Sequence, residues 1–126
     1  EFDNFRKRTL KEKAGMYDEG VKETALRLLP VLDNLDRAIA SGEASDGEDS
    51  LLTGVKMISK QLKETLACLE VVEIKALGES FNPSYHEAVA HEQNENYGEN
   101  EIILEMLKGY MFKDKVLRPS MVKVAN

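Results

Sequence analysis

Apolar residues recur at three- and four-residue steps through the first third of the chain. This spacing places them on one face of a helix and is typical of a coiled coil, so we predict a long helix from Phe2 to about Ala40. Pro30 lies inside it and has no backbone donor, so we expect a kink between Leu26 and Leu29. The apolar stripe consists of Leu10, Ala14, Tyr17, Val21, Ala25, Leu28, Leu32, Leu35 and Ile39.

The predicted helix is too long to be buried by its own chain. About 39 residues give a helix roughly 58 Å long. A compact chain of 126 residues has a radius of gyration of only about 14 Å. The helix is therefore expected to project beyond the rest of the protein, and a second copy is the simplest partner for its apolar stripe.

A second helix is predicted after a loop. Residues 41–50 are small and acidic, which favours a flexible loop, and Ser50 or Asp49 can cap the helix that follows. Its apolar stripe is Leu51, Val55, Ile58, Leu62, Leu66 and Leu69. Two such helical hairpins would complete a four-helix bundle. We therefore predict a homodimer whose interface contains Val21, Leu28, Leu32, Leu35, Ile39, Leu51, Val55, Ile58 and Leu62.

The apolar period changes from helical to two after the second helix. Short strands are predicted at 71–75, 88–90, 102–107, 110–112 and 121–124. The predicted fold class is α+β, with a helical dimerisation part at 1–70 and a small all-β domain at 71–126. A β domain of this size is expected to depend on the helical part for stability.

Composition and charge exclude several functional classes. Acidic residues outnumber basic ones 23 to 17, and the net charge of −6 argues against nucleic-acid binding. No apolar run approaches the length that crosses a membrane, and the charged opening stretch has no signal-peptide pattern. The single cysteine, Cys68, allows neither an intramolecular disulfide nor a multi-cysteine metal site. We expect a reducing compartment.

Only the segment from Arg6 to Lys13 is locally positive. Such a cluster is ordinarily a solvated helix face. The alternative is a contact for an acidic protein surface.

Catalytic motifs are largely missing from the sequence. His86 and His91, with Glu87 between them, superficially resemble the zinc-protease helix, but they are five residues apart and would diverge on a helix or a strand. The glycines at 42 and 47 lack the Lys-Ser/Thr of a phosphate-binding loop. Cys68 is expected to be a buried structural thiol. We therefore expect a binding protein without metal or cofactor and not an enzyme.

Several motifs follow one another in a specific order along the chain. The longest begins in the β part with Phe81-Asn82-Pro83-Ser84-Tyr85-His86-Glu87-Ala88-Val89, followed by Lys108-Gly109-Tyr110, Asp114 and Val116-Leu117-Arg118-Pro119-Ser120-Met121-Val122-Lys123-Val124. The helical part adds the blocks 4–9 and 28–38 and the pair Gly54-Val55. In these motifs, and over essentially its whole length, the chain resembles the GrpE family, the nucleotide exchange factors of DnaK-type chaperones.

The resemblance implies a parallel homodimer with long paired helices, a four-helix bundle and a β domain on each side. One β domain would dock on the ATPase domain of a DnaK-type chaperone and favour an open nucleotide cleft, so that ADP leaves. The protein would break no bond and would not itself bind nucleotide. Its expected location is the bacterial cytoplasm, in preference to the mitochondrial matrix or a plastid.

The resemblance also implies a set of chaperone-contacting residues. For the apolar members the alternative is packing in the core. The set consists of Arg6, Lys7, Gly54, Phe81, Pro83, Met106, Lys115 and Val124.

The sequence departs from the family pattern at two positions. Asn82 stands where the family usually has Asp, and Glu70 stands near the end of the second helix, where many members have Gly. Without that glycine we expect a different turn, which leaves the orientation of the β domain open. Two alternatives to exchange activity remain: a dimeric coiled-coil adaptor, and a metal-dependent hydrolase that uses His86 and His91.

Overall fold

The computed structural model describes residues 1–45 and 50–126, which form two helices followed by short strands. This architecture confirms the α+β class. No helix in these two ranges has a stretch long and apolar enough to cross a membrane. In chain order the elements are α1 (Phe2–Ala44), α2 (Ser50–Cys68), β1 (Val71–Glu73), β2 (His86–Glu92), β3 (Glu101–Leu107), β4 (Tyr110–Phe112), β5 (Lys115–Arg118) and β6 (Ser120–Ala125).

The first helix is longer than predicted. It has 43 residues, about 64 Å at the standard rise, and it continues through Pro30 and to Ala44. The loop prediction was therefore wrong for residues 41–44 and for Ser50, which begins α2, whereas Ser45 follows the helix as a bend. Residues 46–49, with the alternative cap Asp49, lie outside the described residues. Gly42 belongs to the helix and lies against α2: a Cβ atom there would be 2.6 Å from Cδ1 of Leu52.

The two helices form a hairpin, but their buried faces only partly match the predicted stripes. The buried residues of α1 are Ala25, Leu29 and Leu32, and Leu29 was not in the stripe. On α2, Leu66 is buried as expected, whereas Leu51 is 75% exposed. The apolar sector of each helix is wider than the face that packs within the chain, and periodicity alone does not say which edge of the sector is covered.

The strands form two separate three-stranded sheets. In the first sheet the order is β1-β4-β5, with antiparallel neighbours throughout. In the second sheet the order is β2-β6-β3, with β2 parallel and β3 antiparallel to β6. The sequence missed β5, because its four residues lie between two turn signals, Asp114 and Pro119.

Each sheet contributes to a different apolar core. The first core joins both helices to the first sheet and contains Ala25, Leu29, Leu32, Leu66, Val71, Tyr110 and Phe112. The second core lies within the β region and contains Ala76, Ile102, Val122 and Val124, with Phe81 packed against it. The first sheet thus buries its apolar side chains against the helices. A domain boundary at residue 70 stays a prediction.

The second helix ends in a tight left-handed turn despite the missing glycine. Glu70 has a φ of 66°, the conformation that glycine supplies most easily at a helix end. The backbone N–H groups of Leu69 and Glu70 donate to the carbonyls of Leu66 and Ala67, both at 2.9 Å. The expectation of a different turn was therefore wrong, because the glutamate adopts a left-handed turn itself.

Candidate functional site

The turn before β2 is cross-linked by hydrogen bonds around Asn82. The carbonyl oxygen of Asn82 accepts from the N–H groups of Tyr85 at 3.0 Å and His86 at 2.8 Å. Its side-chain Oδ1 accepts from the N–H of Ser84 at 2.9 Å. Pro83 is exposed in this turn. These hydrogen bonds restrict the backbone of the turn, and Pro83 is exposed on it.

Phe81 and Met106, two residues of the predicted contact set, retain exposed apolar surface. Phe81 is half-buried against the second core. Met106 in β3 is 48% exposed. Both are thus available to a partner, and Phe81 also serves the core, so the two interpretations offered by the sequence are compatible for this residue.

His86 ties the turn to the segment after β1. Its Nδ1 accepts from the N–H of Asn82 at 3.0 Å, and its Nε2 lies 2.9 Å from the carbonyl oxygen of Lys75. Because Nδ1 accepts, Nε2 is the ring nitrogen that donates to the carbonyl of Lys75. Both ring nitrogens are thus occupied by protein groups, which gives no support to a metal-dependent hydrolase. Among the described residues, no group of three or more His, Cys, Asp or Glu side chains could hold a metal ion.

Val124 and Cys68 lie in places that the sequence did not predict. Val124 is only 4% exposed and packs in the second core, and its assignment to a chaperone contact stays a prediction. Cys68 at the end of α2 is exposed, so the expectation of a buried thiol was wrong. The helix ends at Cys68, on the opposite side of the last turn from the buried Leu66.

The turn between β4 and β5 lies against the long helix. Lys113 Nζ is 3.1 Å from Oδ1 of Asp18, and a hollow of about 150 Å³ between this turn and α1 is lined by Asp18 and by the exposed Lys115. Arg6 and Lys7 are exposed on the same helix. Lys7 is eleven residues before Asp18, about 17 Å along the axis. The structure therefore places Lys115 beside α1 near Asp18, at a distance along the helix from the basic cluster.

Gly54 and two predicted dimer-interface residues share one face of α2. Leu51, Gly54 and Ile58 are spaced by three and four residues, so they lie in one row. Ile58 is 56% exposed, and a Cβ atom at Gly54 would meet no described atom within 4 Å. This row is an apolar surface that the chain itself leaves uncovered. Gly54 has no side chain, so the surface is flat between Leu51 and Ile58.

The other predicted dimer-interface residues lie closer to the protomer core. Leu32 is completely buried within the chain, and its assignment to the interface stays a prediction. The remaining members are partly buried: Val21, Leu28 and Leu62 pack on the first core, and Leu35, Ile39 and Val55 are half-buried.

An apolar groove of about 400 Å³ runs between α1 and the end of α2. Its lining residues are all uncharged and include two from the predicted interface. They are Met16, Tyr17, Gly20, Val21, Thr24, Ala25, Leu28, Leu66 and Leu69.

Charged side chains surround the joint between the helices and the sheets. Lys63 Nζ is 3.4 Å from Oδ1 of Asp36 and 3.3 Å from Oε1 of Glu73, and Lys108 also reaches Glu73 at 3.4 Å. Burial lowers the pKa of Lys63, but the carboxylates of Glu73 and Asp36 raise it by more, so the pKa lies above its ordinary value. Burial, followed by the charge of Glu73, raises the pKa of Tyr110. The ion pairs of Lys63 therefore connect both helices to the first sheet at this joint.

Comparison with known proteins identifies the family. The family model described as GrpE matches residues 1–126, the full sequence. The chain belongs to the GrpE family. The resemblance inferred from the motifs is thereby confirmed.

Three bacterial members of the GrpE family, each named Protein GrpE, show how much of such a protein this chain represents. The protein of Caldanaerobacter subterraneus subsp. tengcongensis is 49% identical over 126 residues, which cover 99% of this chain and 60% of that protein. The protein of Clostridium acetobutylicum is 48% identical, with 100% and 61% covered. The protein of Lachnoclostridium phytofermentans is 45% identical, with 100% and 56% covered. The chain thus spans less than two thirds of the length of these GrpE relatives.

One residue of this GrpE-family chain escaped sequence reasoning. Arg118 is in the motif that identified the family, but its partner Asp33 is 85 residues away along the chain. Its side chain contacts α1 and the connection between the two sheets at once. The only hint of a structural role in the sequence is that the charged Arg118 directly precedes Pro119. No spacing rule pairs Arg118 with Asp33.

Proposed function

We propose that the protein is a nucleotide exchange factor that acts as a homodimer on the ATPase domain of a DnaK-type chaperone. Membership of the GrpE family along the whole chain carries this proposal. The proposed factor binds the chaperone with its nucleotide cleft open more tightly than with the cleft closed. That difference in affinity shifts the population toward the open state and accelerates the release of ADP. No covalent chemistry is required of the protein.

The exposed residues of the contact set support a docking surface on the β region and the long helix. Pro83, Met106 and Lys115 project from the sheets, and Arg6 and Lys7 from α1. The proposed apolar contacts are Phe81, Pro83 and Met106, and the proposed charged contacts are Arg6, Lys7 and Lys115. Gly54 is proposed to keep α2 flat where a partner approaches. Basic side chains at the edge of an apolar patch favour a partner with an acidic rim.

The uncovered row on α2 supports the homodimer. Leu51 and Ile58 are more than half exposed, and monomeric proteins seldom leave such residues in a continuous row. Two protomers that bury Leu51 and Ile58 against each other, beside the apolar groove, would form the proposed four-helix bundle. The proposed location is the bacterial cytoplasm, where DnaK-type chaperones act, and the relatives are bacterial proteins.

Release of a fluorescent ADP analogue from a DnaK-type chaperone tests the proposal. We expect the release rate to rise with the concentration of the protein and then to reach a plateau. Lys115→Glu should require higher concentrations to reach that plateau. Lys60→Glu, the same charge reversal at an exposed lysine of α2, is the matched control and should behave like the wild type. Binding to the chaperone without any acceleration at saturation would favour the dimeric adaptor.

A further inference from the structure

Arg118 lies where the long helix meets the two crossings between the sheets. The chain passes from β3 in the second sheet to β4 in the first through Lys108 and Gly109. It returns from β5 in the first sheet to β6 in the second through Pro119. Arg118 is the last residue of β5, so its side chain starts beside one crossing and reaches the other.

The guanidinium group of Arg118 uses four of its five N–H donors on two acceptor groups. Nη1 and Nη2 donate to Oδ2 and Oδ1 of Asp33, both at 2.9 Å, which is a bidentate pair. Nε donates to the carbonyl oxygen of Lys108 at 3.0 Å, and Nη2 donates to the same oxygen. The group also lies 5.7 Å from the centre of the Tyr110 ring. A lysine has no planar fork and cannot reproduce this set.

The Arg118–Asp33 pair is more buried than the other ion pairs that join the helices to the sheets. The side chains are 20% and 18% exposed, against 47% and 35% for Lys113 and Asp18. Exposed ion pairs are mobile and contribute little. Bidentate arginine–carboxylate pairs add geometric specificity.

The two crossings between the sheets are in close contact with each other, so the Arg118–Asp33 pair holds both of them. The N–H of Gly109 donates to Oγ of Ser120 at 3.1 Å. A Cβ atom at Gly109 would be 2.4 Å from the backbone nitrogen of Ser120 and 2.7 Å from the carbonyl oxygen of Arg118. A movement of Arg118 against Asp33 is thus transmitted to both sheets together.

We propose that Arg118 is a positioning residue that fixes the orientation of both sheets relative to α1. The apolar first core holds the sheets on the helix without directional preference, whereas the bidentate pair with Asp33 selects one angle. That angle sets the distance between Pro83 and Lys115 on the sheets and the basic cluster of α1. Its importance for chaperone binding rests on the proposed function, but the orientation itself does not.

Distances between spin labels test this orientation in the dimer. Labels at Lys11→Cys on α1 and Glu95→Cys in the loop before β3, with Cys68→Ser, report the angle when labelled protein is diluted with unlabelled protein. Arg118→Lys should shift or broaden the distance distribution and weaken chaperone binding about tenfold, while cooperative unfolding is retained. Lys113→Gln, which removes the more exposed ion pair to α1, is the matched control and should leave both readouts unchanged.

Each outcome bears on the positioning role. An unchanged distance distribution in Arg118→Lys would overturn it. If that variant does not fold, Asp33→Asn carries the same expectation from the helix side, and loss of folding in both would show that the pair is only a stability element. If Arg118→Lys changes the distance distribution but the wild-type protein does not accelerate ADP release, the positioning role stands and the proposed function is rejected.

Discussion

Glu70 at the end of α2 is tied to Lys113 in the turn between β4 and β5. The carbonyl oxygen of Glu70 accepts from the backbone N–H of Lys113 at 3.1 Å. Both residues have left-handed backbones, with φ of 66° and 54°, and each such residue costs about 1–2 kcal/mol when it is not glycine. The contact between the helical hairpin and the first sheet is therefore made at two strained positions.

Replacing Glu70 by glycine should stabilise the protein. Glu70→Gly relieves the left-handed strain, although the greater freedom of glycine in the unfolded chain offsets part of the gain. We expect the free energy of unfolding to rise by up to about 1 kcal/mol. Urea denaturation at one fixed protein concentration, which an oligomer requires, measures the change.

Glu70→Ala separates backbone strain from charge. It removes the carboxylate that lies 3.9 Å from Lys113 Nζ, but it keeps the Cβ atom and thus the strain. Its stability should stay close to that of the wild type, since the pair is exposed. Equal stabilisation by alanine and glycine would mean that the carboxylate, and not the backbone, is unfavourable.

Gly109 cannot accept a side chain. The atoms nearest to an added Cβ belong to the backbone of Arg118, Pro119 and Ser120, which cannot move without separating the two sheets. Gly109→Ala should lower the free energy of unfolding by about 2–3 kcal/mol, as measured by thermal and urea denaturation. In the control Gly98→Ala, the nearest atom is Oε1 of Glu101 at 3.4 Å, so stability should hardly change. Similar losses in both variants would contradict the steric explanation.

Regular periodicity predicted the helices, but it did not predict which side chains they bury. Leu29 is 1% exposed although it lies outside the stripe, because it faces the first sheet. Leu51 belongs to the stripe and is exposed because α2 buries the adjacent row, which starts with Leu52. These outcomes depend on contacts between segments far apart in the chain, which a local pattern does not contain.

The candidate site was predictable where a motif fixes local geometry. Inside the turn from Phe81 to His86, hydrogen bonds join Asn82 to the backbone of Ser84, Tyr85 and His86 and to the His86 ring, so its motif describes much of its local structure. Its two ends are bonded to the distant backbone of Asn100 and Ser120. Arg118 and Val124 belong to an equally specific motif, but their roles depend on Asp33 and on the second core. The motif shared with the family singles out these two residues, but it does not say whether their side chains face a partner or the interior.

Glu105 in β3 should make stability depend on pH. Burial, followed by the charge of Glu73, raises the pKa of Glu105, and its Oε2 has no hydrogen-bond partner among the described residues. A carboxyl whose pKa is higher in the folded state stabilises below its unfolded pKa and loses that contribution as the pH rises through its folded pKa. Above that point its charge is unfavourable in the fold.

Glu105→Gln should therefore be more stable than the wild type at pH 7. We expect a gain of less than about 1 kcal/mol, because the side chain is partly exposed and solvent screens its charge. The gain should shrink as the pH falls through the folded pKa of the wild-type residue, which urea denaturation across this range measures. Glu87→Gln, at an exposed position of β2, controls for the loss of one negative charge. A gain that does not depend on pH would contradict the assignment to Glu105.

The exposed row of α2 should hold the proposed homodimer together. Burial of a Leu or Ile side chain contributes about 1.5–3 kcal/mol, and a buried unpaired carboxylate is strongly unfavourable. Ile58→Glu combined with Leu51→Glu should therefore convert the dimer to monomers, as measured by light scattering over a range of concentrations. Met57→Glu is the control: Met57 is 67% exposed but lies about 100° around the helix from Ile58, so the dimer should persist. Dissociation by Met57→Glu alone would assign the interface to another face of α2, and a monomeric wild type would reject the homodimer.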